Sequence, residues 1–419
     1  MPLLVGKTLS LAITATAGSG FLLFGYDQGV MSGLLTGDAF VRTFPEIDTT
    51  EGGHGNSSLQ GTVGVAFGAE QSLESREGDY GMSYVSNESQ FRFPLALQIL
   101  FAIVTFLGVL VLPESPRWLI AHDRHTEARQ VLWSVQPNAR LITPDDPAIN
   151  LEITSISRTV AEERQATEAG SFKMLLQDGP QRIRHRTLLA MGGQMMQQLS
   201  GVNLITYYNT VIFEQSVGMS HNLALLMAGF NGVAYFVSTF VPVWVIDRLG
   251  RRKLMLFAAG GQCACMAILA GTVYDGGHAA GIVATVMLFL FNFFFGVGLL
   301  AVPWLLPAEY APLATRTHTA ALATATNWIF TFLVVEITPV SISNIGYRTY
   351  IYFAVFNFCF LPLIFFFYPE TRNLTLEQID RLFTGEKVRL HWDTSMGVAG
   401  DTEHRLQEKT GDAEVQHVE

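Results

Sequence analysis

The sequence predicts an all-α integral membrane protein, a bundle of about eight transmembrane helices. Three observations predict it. Of the 419 residues 49% are apolar and only 15% charged, whereas soluble domains carry about a quarter charged residues. Apolar stretches recur at 8–31, 93–112, 188–213, 223–246, 254–274, 281–303, 319–342 and 350–368, each near the roughly 20 residues that a hydrocarbon core demands. A short motif also repeats: Pro113-Glu114-Ser115-Pro116-Arg117 and Pro369-Glu370-Thr371-Arg372 each follow an apolar run directly. If each copy closes one half of a duplicated domain, the second half holds six spans and the first only two.

The first span carries Gly25, Tyr26 and Asp27 in its second half and has no small-residue cleavage site, so it is expected to remain as a signal anchor. Its Gly25, Gly29 and Gly33 recur every four residues, the spacing that lets helix backbones approach closely. Residues 32–92 contain three Arg against nine acids, with glycosylation sequons at Asn56 and Asn87. The segment 113–187 contains ten Lys or Arg and two helix-like charged stretches, near 122–135 and 150–165. The turn 247–253 adds Arg248, Arg251, Arg252 and Lys253, and the tail from 369 adds six more basic residues. By the positive-inside rule these basic segments and both termini are cytoplasmic, and 32–92 lies outside.

The expected organisation is an incomplete amino-terminal bundle over 1–112, a cytoplasmic loop over 113–187, a complete six-helix bundle over 188–368 and a cytoplasmic tail over 369–419. The last 35 residues are polar, acidic and poor in aromatics, the composition of a disordered segment.

Composition and motifs exclude several function classes. Cys263, Cys265 and Cys359 all lie inside expected spans with no histidine at ligand spacing, which argues against a disulfide framework and a metal site. No phosphate-binding glycine loop and no nucleophile elbow occur, so neither an enzyme nor a cofactor is expected. The net charge of −10 sits largely in loops and tail and gives no sign of nucleic-acid binding.

The chemistry concentrates in two places. The turn Asp247-Arg248-Leu249-Gly250-Arg251-Arg252 joins two spans, and Glu309 with Arg316 ends another. Taken singly, such charges are topology anchors. Together with Glu114, Arg117, Glu370 and Arg372 they form a set of clamps on one face, which a rocking-bundle transporter needs.

The other place is the span 188–213, too polar for a lipid-facing helix, with Gln194, Gln197, Gln198, Gly201 and Tyr208 near one face. Asn203 joins that face only if the helix unwinds near Ser200-Gly201. Amides and phenols suit a neutral polyhydroxylated ligand, each hydroxyl being donor and acceptor; the plainer reading is polar glue between helices. Trp304, Asn327 and Trp328 supply further groups near that depth, although a tryptophan at a span end is usually an interfacial anchor. Asp27 and Glu336 are the acids within spans, candidates for proton carriage or ion pairing.

These motifs resemble the sugar transporters of the major facilitator superfamily, in particular fungal proton-coupled members. The match rests on Gly25-Tyr26-Asp27-Gln28-Gly29-Val30, Pro113 to Arg117, Gln197-Gln198-Leu199-Ser200-Gly201-Val202-Asn203 and the Asp247 to Arg252 turn. Pro303-Trp304, Glu309, Arg316, Asn327-Trp328 and Pro369 to Arg372 extend it. The resemblance implies that Gln197, Gln198, Asn203 and Asn327 hydrogen-bond a monosaccharide, that Tyr207, Tyr208 and Trp304 line its cavity, and that Asp27 couples transport to protons. It implies a multi-pass protein of the plasma membrane.

The departure from the family is an internal one. Residues 58–68 are similar to the start of the family's second helix, and those from about 80 to the end of its fifth. Between them Glu70 to Asp79 is a short charged join, so about four of twelve helices are absent. The sugar face of the 188–213 helix is then expected to lack its opposing wall, leaving amides near lipid at about 1–2 kcal/mol each. Transport by such a chain is doubtful, and a sugar-binding membrane protein or nutrient sensor is the alternative.

Overall fold

The computed structural model describes residues 5–34, 42–43, 87–137, 139, 142–176, 179–374 and 376–384, with 21–34, 90, 167–169, 215–216 and 376–377 as backbone alone. The expectations for the 70–79 join, the sequon at Asn56 and the tail beyond 384 fall outside the described residues. Within them the chain is helical and no strand occurs.

Helix α1 (Lys7–Leu34) packs on α2 (Ser89–Val111), with the Ser19 and Thr105 hydroxyls 2.9 Å apart. Most of α2 otherwise faces outward, including Ile99, Phe106 and Leu110. Next come α3 (Pro116–Ala121), α4 (His125–Val135) and α5 (Pro147–Ala169). Ser115 caps α3 by accepting the Trp118 N–H, and Pro116 suits the first turn because its missing donor is not needed there. Leu119, Ile120, Ala128, Val131, Leu132, Ile149 and Ile153 bury together, giving these three helices a small core of their own.

Helices α6 (Ile183–Leu199) and α7 (Val202–Tyr207) are one polar rod broken at Ser200-Gly201. Gly201 has φ 95°, a backbone state that side-chain-bearing residues avoid. A turn over Asn209–Val211 and a π-helical turn over Ile212–Ser216 follow. Helices α8 (His221–Ser238) and α9 (Val241–Leu249) meet at a 41° bend, where Pro242 stands in the first turn of α9. Helix α10 (Arg251–Asp275) then lies between α11 (His278–Phe294) and α14 (Arg348–Phe367). A π-helical turn over Phe295–Leu299 leads from α11 into α12 (Val302–Tyr310), and α13 (Arg316–Ile345) packs along α6. The chain's last described helix is α15 (Leu376–Thr384).

Five helices are long and apolar enough to cross a membrane, Phe91–Val111, Arg251–Asp275, His278–Tyr310, Arg316–Ile345 and Arg348–Phe367, and the bent α8–α9 pair makes up to six. The expected spans at 8–31 and 188–213 coincide with α1 and with the α6–α7 rod, which are not among these six.

Arg186 in the first turns of α6 is 1% exposed yet charged. Its guanidinium donates to the Asp380 carboxylate and carbonyl and to the Tyr310 carbonyl, and lies 4.5 Å from the Phe383 ring. Helix α15 is thereby fastened to the end of α6, with Ile379 and Phe383 buried beneath it. Removing one side of such a pair strands the other charge, whereas replacing the buried charge by an apolar chain of similar volume is far cheaper. Because the Asp380 side chain is half exposed, Asp380→Ala is expected to cost about 1–2 kcal/mol. Arg186→Met is expected to cost less, and thermal unfolding of the detergent-solubilised protein ranks the two.

Candidate substrate-binding site

The site is assembled at the break between α6 and α7. Gln194 and Gln197 stand one turn apart on α6 and face α12 and α13. The Gln197 amide donates to the Leu299 and Leu300 carbonyls, each at 2.8 Å. Gln194 donates to the Pro303 carbonyl at 3.1 Å. Asn327 on α13 uses both hydrogens of its amide, one to Gln194 Oε1 at 2.7 Å and one to Gln197 Oε1 at 2.8 Å. Asn203, one turn beyond the break, donates to Gln198 Oε1.

The acceptors in this network follow from prolines. Proline has no N–H to offer the carbonyl four residues back. Pro303 therefore frees Leu299, Pro307 frees Pro303, and Pro339 frees Val335. The first two receive Gln197 and Gln194, and the Tyr208 hydroxyl donates to Val335 at 3.2 Å. Leu300 is free because the Trp304 N–H turns to Ala301 instead. The break itself is served likewise: Asn357 on α14 donates to the Ser200 carbonyl at 2.8 Å, and Ser200 Oγ donates to Gln197 O at 2.7 Å.

Gln197, Gln198, Asn203, Tyr207, Tyr208 and Asn327 are all buried. This overturns the expectation that a shortened first half leaves these amides against lipid. Helix α1 lies against α7 and the turn after it, and the amides pair among themselves. Trp304 stands apart from them, 42% exposed, with its neighbour Pro303 making the contact. Asp27 lies in α1, but its side chain is outside the described residues. Two clefts lie elsewhere, one of about 570 Å³ between α10 and α14 and one of about 520 Å³ beside Glu336 and Tyr352.

At the basic end the expected clamps divide. Arg251 bonds Glu309 and Asp247, each at 3.1 Å, and Thr371 donates to the second Glu309 oxygen at 2.6 Å. The Glu370 carboxylate accepts the Arg251 and Arg252 backbone N–H groups at 2.9 and 3.2 Å. It thus caps the positive end of α10. Arg252 reaches the Phe365 carbonyl, another acceptor freed by proline, here Pro369. Arg372 joins through its backbone N–H to Glu370, while Arg316 opens α13 without an ion pair among the described residues. Glu114 and Arg117 do not join this cluster. Arg117 pairs at 2.5 Å with Glu163 on α5, because α3 packs into the small α3–α5 core rather than beside α10.

This arrangement of a glutamine-lined broken helix above a charged clamp has relatives. Residues 78–383 match the sugar (and other) transporter family. The chain belongs to that family. It is 39% identical over 310 residues to the MFS-type transporter oryC of Aspergillus oryzae, covering 73% of this chain and 57% of that protein. To the sugar transporter STL1 of Saccharomyces cerevisiae it is 37% identical over 305 residues, covering 73% and 52%. The chain thus spans little more than half the length of these two relatives. The alignment to the transporter mfsA of Aspergillus fumigatus, 29% identical, runs over 482 positions and covers 92% of this chain and 88% of that one. Since the chain has 419 residues, the relative carries stretches without a counterpart here. The inward-open xylose transporter XylE of E. coli shares the fold, with a TM-score of 0.59 at 19% identity over 88% of this chain and 86% of that one. This sugar-transporter-family chain is therefore an all-α, multi-pass membrane protein of the major facilitator type.

Sequence reasoning missed Asn357, Pro307 and Pro339 as parts of the site. The signal was present, since a proline inside an apolar span always leaves a carbonyl seeking a donor one turn back. That logic makes a testable pair. Tyr208→Phe should cost about 1–2 kcal/mol by orphaning the Val335 carbonyl, and less in a Pro339→Ala background, where the restored N–H takes that carbonyl. A double-mutant cycle in thermal unfolding reads the difference. At the clamp, Gly250 has φ 91° and a Cβ there would stand 2.4 Å from Glu370. Gly250→Ala is expected to expel the carboxylate and cost about 1–3 kcal/mol by the same measurement.

Proposed function

We propose that this chain binds a monosaccharide at the α6–α7 break and is by descent a sugar/proton symporter working by alternating access. The observation that supports this best is the cluster of Gln194, Gln197, Gln198, Asn203 and Asn327. These are neutral buried amides, carried by a broken helix of a sugar transporter family member. Such groups answer hydroxyls without attracting ions. Tyr207 and Tyr208 line the site and Trp304 stands at its margin. The relative XylE is described as a proton:xylose symporter, and Asp27 in α1 is assigned here as the proton-binding carboxylate. Both termini and the clamp face the cytoplasm, the membrane is the plasma membrane, and the working units are 1–112, 113–187, 188–368 and 369–419, with eight spans in all.

A second reading, sugar binding without transport, draws on the first half. Before residue 113 the described residues give two long helices, α1 and α2, whereas alternating access needs two comparable bundles.

The full chain in lipid nanodiscs, titrated with D-glucose and D-xylose, is expected to bind one of them saturably and to lose that binding in Gln197→Ala and Asn327→Ala. Uptake of radiolabelled sugar into transporter-deficient cells separates the readings. Saturable uptake that rises at acid pH and disappears in Asp27→Asn establishes symport. Binding without uptake establishes the second reading, and absence of both sinks the sugar assignment.

A further inference from the structure

The polar rod is interrupted a second time, and this interruption is chemically unlike the first. At Ser200-Gly201 the freed carbonyls are answered by Asn357 and by Ser200 Oγ. At Tyr208 the backbone leaves the helical region again, with φ −107° and ψ 23°. The next residue, Asn209, is 0% exposed, and among the described residues neither its Nδ2 nor its Oδ1 has a hydrogen-bond partner. An amide buried with both ends unmet destabilises the fold in a way that an apolar side chain of the same shape would avoid. The fold supplies a donor or acceptor to Gln194, Gln197, Asn203, Asn327 and Asn357, yet it supplies nothing to Asn209.

We propose that Asn209 is a ligand-binding residue, an outer station that takes hydroxyl groups of the sugar bound at the α6–α7 break. The inference rests on the sugar reading above and extends its site. Asn209 lies six residues beyond Asn203, about 9 Å farther along the rod at about 1.5 Å per residue. Tyr208 immediately before it is tied to α13 through the Val335 carbonyl, so the station is anchored to the same helix that carries Asn327. Its turn packs against α8 and α1. A hydroxyl donates and accepts at once, so adjacent sugar hydroxyls satisfy Nδ2 and Oδ1 together.

Asn209→Leu tests this because its two consequences point in opposite directions. Removing an unmet amide should hold or raise the unfolding temperature of the ligand-free protein, while removing a sugar ligand should weaken binding. The full chain in nanodiscs is titrated with D-glucose and D-xylose, alongside thermal unfolding without sugar. The expected result is an affinity loss of at least tenfold with no loss of stability. Gln262 on α10 is the comparison, being also fully buried with both amide atoms unpartnered but on a helix that gives no side chain to the amide network. Gln262→Leu should leave sugar affinity unchanged. Asn209→Ser, which keeps a hydroxyl, should recover part of the affinity and stands in if the leucine variant does not fold. Unchanged affinity in Asn209→Leu, or an equal loss in Gln262→Leu, overturns the proposal while the sugar reading stands. If the unmodified chain binds neither sugar, the sugar reading itself has failed and this extension with it.

Discussion

Everything around the candidate site depends on one constraint, that a carbonyl freed by proline inside a membrane-spanning helix must find a donor from a neighbour. In water such a carbonyl would simply hydrate. Within hydrocarbon each unmet group costs kilocalories, so spans tolerate proline only where another helix answers it. Here Pro303, Pro307 and Pro339 free three carbonyls, at Leu299 in the π-helical turn, Pro303 on α12 and Val335 on α13, and Gln197, Gln194 and Tyr208 on the polar rod answer them. The polarity of that rod therefore has a structural source and a functional one together. The side chains that hold α12 and α13 in place are the side chains we propose as sugar ligands.

That double use has a mechanical consequence. Asn327 spends both amide hydrogens on Gln194 and Gln197, and Gln197 spends both of its own on Leu299 and Leu300. On the proposed reading, a sugar hydroxyl arriving at this network exchanges hydrogen bonds that already exist and adds few new ones, so its binding would be coupled to the packing of three helices. The π-helical turn at Phe295–Leu299 and the glycine break at Gly201 flank the exchanged bonds, and both are places where a helix can shift register at small cost. At the other end of α12, Glu309 belongs to the clamp with Arg251 and Thr371. Helix α12 thus connects the amide network to the ionic one through about two turns of backbone.

How far this was legible in the sequence differs from residue to residue. The apolar runs mark most of the helices, and the glutamines at 194, 197 and 198 signal a polar face by their spacing. Asn203 joins that face only if the helix unwinds near Ser200-Gly201, and Gly201 in the left-handed region supplies that break. The clamp was legible as a set of charges but not as a geometry, because spacing does not reveal that Glu370 would cap α10 while Arg117 turned to Glu163. Arg186 escaped notice because a lone arginine before a span reads as a topology anchor. Only α15 folding back onto α6 makes it a buried ion-pair partner.

The shortened first half sharpens rather than weakens this account. A polar rod facing lipid would have lost several amide hydrogen bonds, and selection or simple instability would have removed it. The amides of α6 are instead met by Leu299, Leu300, α12 and α13, and the break by Asn357 of α14, all in the second half of the chain. The hydrogen bonding of the α6 amides is therefore a local property of the second half. Motion is another matter, since rocking requires a second body of comparable size against which this bundle can move. Binding and transport thus rest on different parts of the chain. On the proposed reading the amide network recognises the sugar with the helices present, and the pairing of α1 and α2 with the rest decides whether recognition becomes movement.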